Sequence, residues 1–184
     1  VALEIVNTLF GGRFTSMLND ALRVNSGLTY GASCQVDRDR ATGAIAINTY
    51  TRTDTTEKAV DMALDILKTL RNKGIDAAQL ASAKAYIKGG FPTQSLETAD
   101  QLAAVLGDLE IYGLNKGEID DYFSKIDSIT LEQANAVARK YFVETNLQFV
   151  LLGNASKVPG VLTKYAPKSK TVSIREPGFE SPAF

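Results

Sequence analysis

Residues 15–36 read TSMLNDALRVNSGLTYGASCQV, and the fold turns on how this stretch divides. Met17, Leu18, Ala21 and Leu22 recur at the spacing of an amphipathic helix. Asn25-Ser26-Gly27 then supplies a stop, Gly27 being suited to a left-handed helix end. Over residues 28–36 the pattern becomes that of a strand. Only Ser26-Gly27 separates the two elements, so the end of the helix and the start of the strand share one space.

Upstream, Leu3, Val6, Leu9 and Phe10 line one face of an earlier helix that Gly11-Gly12 breaks. Downstream, a second strand over residues 43–51 alternates Ile45, Ile47 and Thr49 against Ala44, Ala46, Asn48 and Tyr50. The polar residues 37–42 between the strands predict a hairpin loop. Helical sequence follows. Asp54 with Glu57 reads as a capping box, and Val60, Ala63, Leu64, Leu67 and Leu70 carry the period to Gly74. Asp76 with Gln79 opens the next helix, predicted to stop near Gly89-Gly90 and Pro92. Further helices are predicted up to Gly113, over residues 117–126, and from Thr130 with Gln133 to Tyr141. A last strand is expected at residues 147–152, then a Pro-bearing extended tail after Lys164 with an edge strand at residues 171–174. Strands cluster rather than alternate with helices. The class is therefore α+β, an antiparallel or mixed sheet covered on one face by helices.

Composition narrows the chemistry. The 184 residues are 45% hydrophobic and 22% charged, as in ordinary globular proteins. Twenty basic residues stand against twenty-one acidic ones, a net charge of -1. That balance argues against a dedicated nucleic-acid binder, which carries a basic stripe. There is no histidine. Histidine triads, histidine zinc sites and histidine proton shuttles are thereby excluded within this chain. The single cysteine, Cys34, excludes a disulfide framework and a cysteine zinc cluster, and reads as a small buried hydrophobe. No run approaches the ~20 apolar residues of a membrane span. Val1 is not preceded by a methionine, and residues 2–10 read like the middle of a helix, which predicts a piece of a longer protein.

Several candidates read as structure. Gly11-Gly12-Arg13 lacks the phosphate-loop spacings and reads as a tight turn. The acidic pairs Asp37/Asp39 and Asp120/Asp121 have no further ligands at calcium spacing and read as solvated surface, as do Lys84 and Lys88. Arg23 and Tyr30 stand apart. Arg23 falls in the last turn of its helix, and Tyr30 lies just inside the following strand. Together they offer a planar cationic fork and a phenol donor, able to hold a peptide carbonyl and stabilise an oxyanion. The same two residues also fit a helix-terminal cation and an ordinary sheet tyrosine.

At these residues the sequence resembles a known family. The run Asn7-Thr8-Leu9-Phe10-Gly11-Gly12-Arg13-Phe14-Thr15-Ser16-Met17-Leu18-Asn19, then Leu22-Arg23, then Gly27-Leu28-Thr29-Tyr30-Gly31-Ala32, is similar to the C-terminal half of the M16 peptidases. That family includes pitrilysin, insulysin and the mitochondrial processing peptidases. The resemblance continues through Thr49-Tyr50-Thr51-Arg52-Thr53-Asp54, Ala83-Lys84 through Gly89, Leu96-Glu97-Thr98-Ala99, Tyr112-Gly113-Leu114 and Val137-Ala138-Arg139-Lys140-Tyr141. It implies an M16 metallopeptidase-like domain over residues 1–164, lacking a first strand, with residues 165–184 as a tail.

Family members pair two such α+β domains or subunits around a chamber. The N-terminal-type half carries H-x-x-E-H, whose zinc activates water and whose glutamate is the general base. The C-terminal-type half contributes an arginine and a tyrosine seven residues apart to peptide binding and transition-state stabilisation, which Arg23 and Tyr30 match. Without histidine, H-x-x-E-H cannot exist here. The resemblance thus implies a chain that by itself neither holds catalytic zinc nor hydrolyses peptides. Its expected partners are peptide substrates and an N-terminal-type half carrying the zinc. Two rivals remain: a non-catalytic assembly subunit of the same fold, and a plain α+β interaction module.

Overall fold

The computed structural model describes residues 1–37, 41–166 and 168–174. Helix α1, Ala2–Asn7, buries Ile5 and Val6, then widens into a π turn, Thr8–Gly12, that buries Leu9, Phe10 and Gly11. Gly11 lies hard against the sheet: a Cβ there would sit 2.4 Å from the Cys34 amide nitrogen. Helix α2, Met17–Asn19, starts on Ser16, whose hydroxyl accepts from the Asn19 N–H. It passes into a second π turn, Asp20–Asn25. The Gly27 N–H then donates to the Arg23 carbonyl (3.1 Å) and the Leu28 N–H to the Leu22 carbonyl (2.9 Å). Gly27 at φ +62° makes that closure possible.

Strands β1, Thr29–Val36, and β2, Ile45–Thr51, form an antiparallel pair. Cys34 lies opposite Ile47 and Ala32 opposite Thr49, facing the core. Between Ala32 and Thr29, β1 spends one residue more than β2, so Tyr30 and Gly31 together face Tyr50. This is a β-bulge. Residues 38–40 of the expected hairpin loop lie outside the described residues.

The helices cover the inner face of this small sheet. Helix α3, Thr56–Lys73, buries Ala59, Ala63, Leu67 and Leu70, and α4, Ala77–Ser95, buries Leu80, Ala83 and Ile87. After them come α5 (Ala99–Tyr112), α6 (Gly117–Asp120), α7 (Tyr122–Ser128) and α8 (Leu131–Tyr141). Phe10 meets Phe142 edge-on at 5.2 Å, and both are buried. The α+β class stands: helices around a two-stranded antiparallel sheet. No described helix is long and apolar enough to cross a membrane.

Some local expectations hold and others fail. The boxes at Asp76/Gln79 and Thr130/Gln133 form as read. The one expected at Asp54/Glu57 does not, because Asp54 turns back to Arg52 (3.2 Å) and a 3-10 turn, Thr53–Thr55, precedes α3. Helix α4 runs through Gly89, Gly90 and Pro92 rather than stopping there. Its last turns are held from outside, by Phe91 stacking on Tyr122 at 4.2 Å and by Lys88 pairing with Asp127 at 2.7 Å. A short helix, α9 (Pro159–Tyr165), was not expected. Residues 147–152 and 171–174 form no strand, since alternation defines faces but neither segment finds a ladder partner among the described residues. Val150 is 93% exposed and Leu152 88%.

Candidate functional site

Arg23 and Tyr30 meet. The Arg23 guanidinium lies 4.4 Å from the Tyr30 ring centroid and 4.7 Å from that of Phe14, stacked between two aromatic rings. Each such contact contributes about 0.5–1 kcal/mol at an exposed site. Two local features produce the arrangement. The π turn Asp20–Asn25 and the Gly27 stop deliver Arg23 to the helix end nearest β1. The bulge does the rest: in regular alternation Tyr30 would share the inward face of Ala32 and Cys34, but the extra residue sends Thr29 inward instead. Thr29 is buried and Tyr30 is 74% exposed.

The bulge is pinned by hydroxyls. The Thr29 hydroxyl donates to the Tyr50 carbonyl (2.6 Å) and also accepts from the Gly31 N–H (3.1 Å). Thr51 donates to the Leu28 carbonyl (2.6 Å). Behind the pair, buried Asn19 joins three elements. Its Nδ2 donates to the Phe14 carbonyl (2.7 Å), and its Oδ1 accepts from the Ala32 N–H (3.2 Å). Asn19 therefore fixes the Phe14 loop, and with it one of the rings flanking Arg23.

These residues line one open cleft of about 660 Å³, with Arg13, Tyr50, Tyr86 and Asn48 completing its walls. That volume falls in the range of ligand clefts. Arg13 is held by its Nε on the Thr15 carbonyl (3.2 Å) and its Nη1 on the Ser82 hydroxyl (3.0 Å), beside the Tyr86 ring. Sequence reasoning singled out Arg23 and Tyr30, which the fold brings together; it read Gly11-Gly12-Arg13 as a tight turn and gave Phe14, Asn19 and Tyr86 no role at the site.

The Gly11-Gly12-Arg13 turn also lines this cleft, and the remaining candidates lie elsewhere. Gly11 serves close helix–strand packing. Asp120 pairs with Lys116, Asp121 and Asp37 are exposed, and Asp39 lies outside the described residues. Lys84 does not face solvent freely: its Nζ donates to the carbonyls of Asp127 (2.9 Å) and Ile129 (2.7 Å), closing the end of α7. Burial pushes the Cys34 thiol up to about 12. Among the described residues no three metal-binding side chains cluster. With no histidine and a buried protonated thiol, the donor set does not fit a zinc ion.

Residues 1–87 match the profile of the Peptidase M16 inactive domain. That stretch is similar to an M16 C-terminal-type domain, and the fold agrees with a solved structure of that type. A crystal structure of the M16 inactive domain from Pseudomonas fluorescens superposes with a TM-score of 0.69 at 25% identity, over 76% of this chain and 33% of that one. An uncharacterised zinc protease of Mycobacterium tuberculosis is 28% identical over 139 residues, 75% of this chain and 31% of its own length. An uncharacterised zinc protease of Bacillus subtilis, YmxG, is 25% identical over 77% of this chain and 34% of its own. The chain thus spans about a third of the length of the curated relatives it matches.

Proposed function

We propose that this M16 domain is the substrate-binding half of a zinc metalloendopeptidase. Arg23 takes a carbonyl of the peptide backbone, and the Tyr30 hydroxyl donates to the oxyanion that develops at the attacked carbonyl. The observation that carries this reading is the stack of Arg23 between Phe14 and Tyr30 on the cleft wall. The stack fixes a cation and a phenol in advance, so neither needs ordering when charge develops. Zinc and the general base belong, in this reading, to an N-terminal-type half bearing H-x-x-E-H, because the donor set here does not fit the metal.

One observation favours the assembly-subunit reading. A Helicobacter pylori relative, 21% identical over 84% of this chain, is named a non-peptidase homolog. The two readings part in one assay. The purified chain is tested for cleavage of an unfolded peptide alone, then together with its histidine-bearing complementary half recovered from the source. The peptidase reading expects no cleavage alone and chelator-sensitive cleavage with both halves. Robust chelator-sensitive cleavage by the chain alone overturns it, and no cleavage by the pair leaves the assembly role.

A further inference from the structure

The cleft is positive in a chain that is not. Overall the protein carries a charge of -1, yet among the described residues the cleft is lined by two arginines and by no aspartate or glutamate. Neither guanidinium has a carboxylate partner among the described residues. Arg13 spends its Nε and Nη1 on Thr15 and Ser82, leaving Nη2 without a described acceptor. The Arg23 guanidinium lies over the Phe14 and Tyr30 rings, with no acceptor described for its N–H groups.

A guanidinium stacked or tied in this way is already ordered, and its open edge matches the two oxygens of a carboxylate. Two cations in one cleft, neither with a described carboxylate partner, also favour an anion there. A neutral backbone carbonyl satisfies only part of this donor set.

We propose that the cleft is a carboxylate receptor, with Arg13 as its specificity-determining residue, selecting peptides that present an acidic side chain or a free C-terminal carboxylate. This deepens the peptide-binding reading above and rests on it. Arg23 keeps its backbone contact through one N–H and turns its remaining edge to the same carboxylate. Tyr86 and Tyr50 line the surrounding wall.

Calorimetric titration of the chain with three peptides tests it. One is N-acetylated and C-amidated with a central glutamate, the second is its glutamine counterpart, and the third is the glutamine peptide with a free C-terminal carboxylate. The glutamate peptide, the free-carboxylate peptide or both should bind at least about tenfold more tightly than the neutral one, which also identifies the source of the carboxylate. The preference should shrink as salt rises, a readout needing no variant. Arg13→Glu should abolish it and Arg13→Lys retain part of it, with Arg13→Gln replacing the first variant should it fail to fold. Binding of all three peptides within about threefold overturns the preference while leaving peptide binding intact. Persistence of the tenfold preference in folded Arg13→Glu or Arg13→Gln also overturns it. No binding of any peptide removes both the preference and the reading beneath it.

Discussion

Gly11 and Cys34 show what single residues decide. Gly11 touches β1 so closely that a methyl group would displace backbone, not a pliable side chain. Gly11→Ala should therefore cost about 1–3 kcal/mol, read as a lower urea midpoint. Gly107 lies inside α5, and a methyl group added there would meet nothing within 4 Å, so Gly107→Ala should gain roughly 0.5–1 kcal/mol. Equal effects at the two sites would contradict the packing described. Cys34, raised to about 12 and 2% exposed, should resist a thiol-specific disulfide reagent at about pH 8 and react fully in denaturant. The sequence showed Cys34 as a buried hydrophobe and placed Arg23 and Tyr30 in one space, because both follow from spacing. It did not show Phe14, whose role depends on Asn19 bridging loop to strand. Nor did it show the bulge at Tyr30, where the extra residue becomes visible only against the register of β2.

At the scale of elements, helices were legible where the apolar period was clean, as in α3, or where period and cap agreed, as in α8. Errors arose where tertiary contacts override local signals, as in the Pro92 turn of α4, or where a strand needs a partner the sequence does not name. Helix α9 was missed because long-range polar contacts anchor it. Lys164 donates to Glu57 and Asp61 (2.7 Å each), and the Tyr165 hydroxyl donates to Asp61 (2.6 Å). The Lys164 and Tyr165 donors hold the Asp61 carboxyl below its usual range, while Asp61 and Glu57 hold Lys164 above its own. A lowered acid contributes fully above its unfolded value of 3.8 and loses that contribution as pH falls through the folded one. The raised lysine contributes below 10.5 and loses its share as pH rises. The Tm difference between the native chain and Lys164→Ala should thus be present near about pH 7 and narrow below about pH 3 and at strongly alkaline pH. A difference unchanged across that span would show that packing, not these charges, docks α9.

The whole molecule joins a fold like that of M16 C-terminal-type domains to a cleft that carries Arg13, Arg23 and Tyr30 and, among the described residues, no fitting metal donors. Zinc titration of the chain should accordingly reveal no stoichiometric site at about micromolar affinity, and a tight one-to-one site would contradict the donor analysis. For the peptide engagement we propose, the fold supplies rigid elements: a helix end, a bulged strand and a loop tied by Asn19 all converge on one wall. The measurement closest to the central claim is the kcat of the reconstituted two-half enzyme carrying Tyr30→Phe. The phenol is 74% exposed and the ring keeps its stack on Arg23, so folding and the association of the halves should be unchanged. Turnover should fall by on the order of 10²–10³, the loss expected for one oxyanion donor. A fall of less than about threefold would contradict the account.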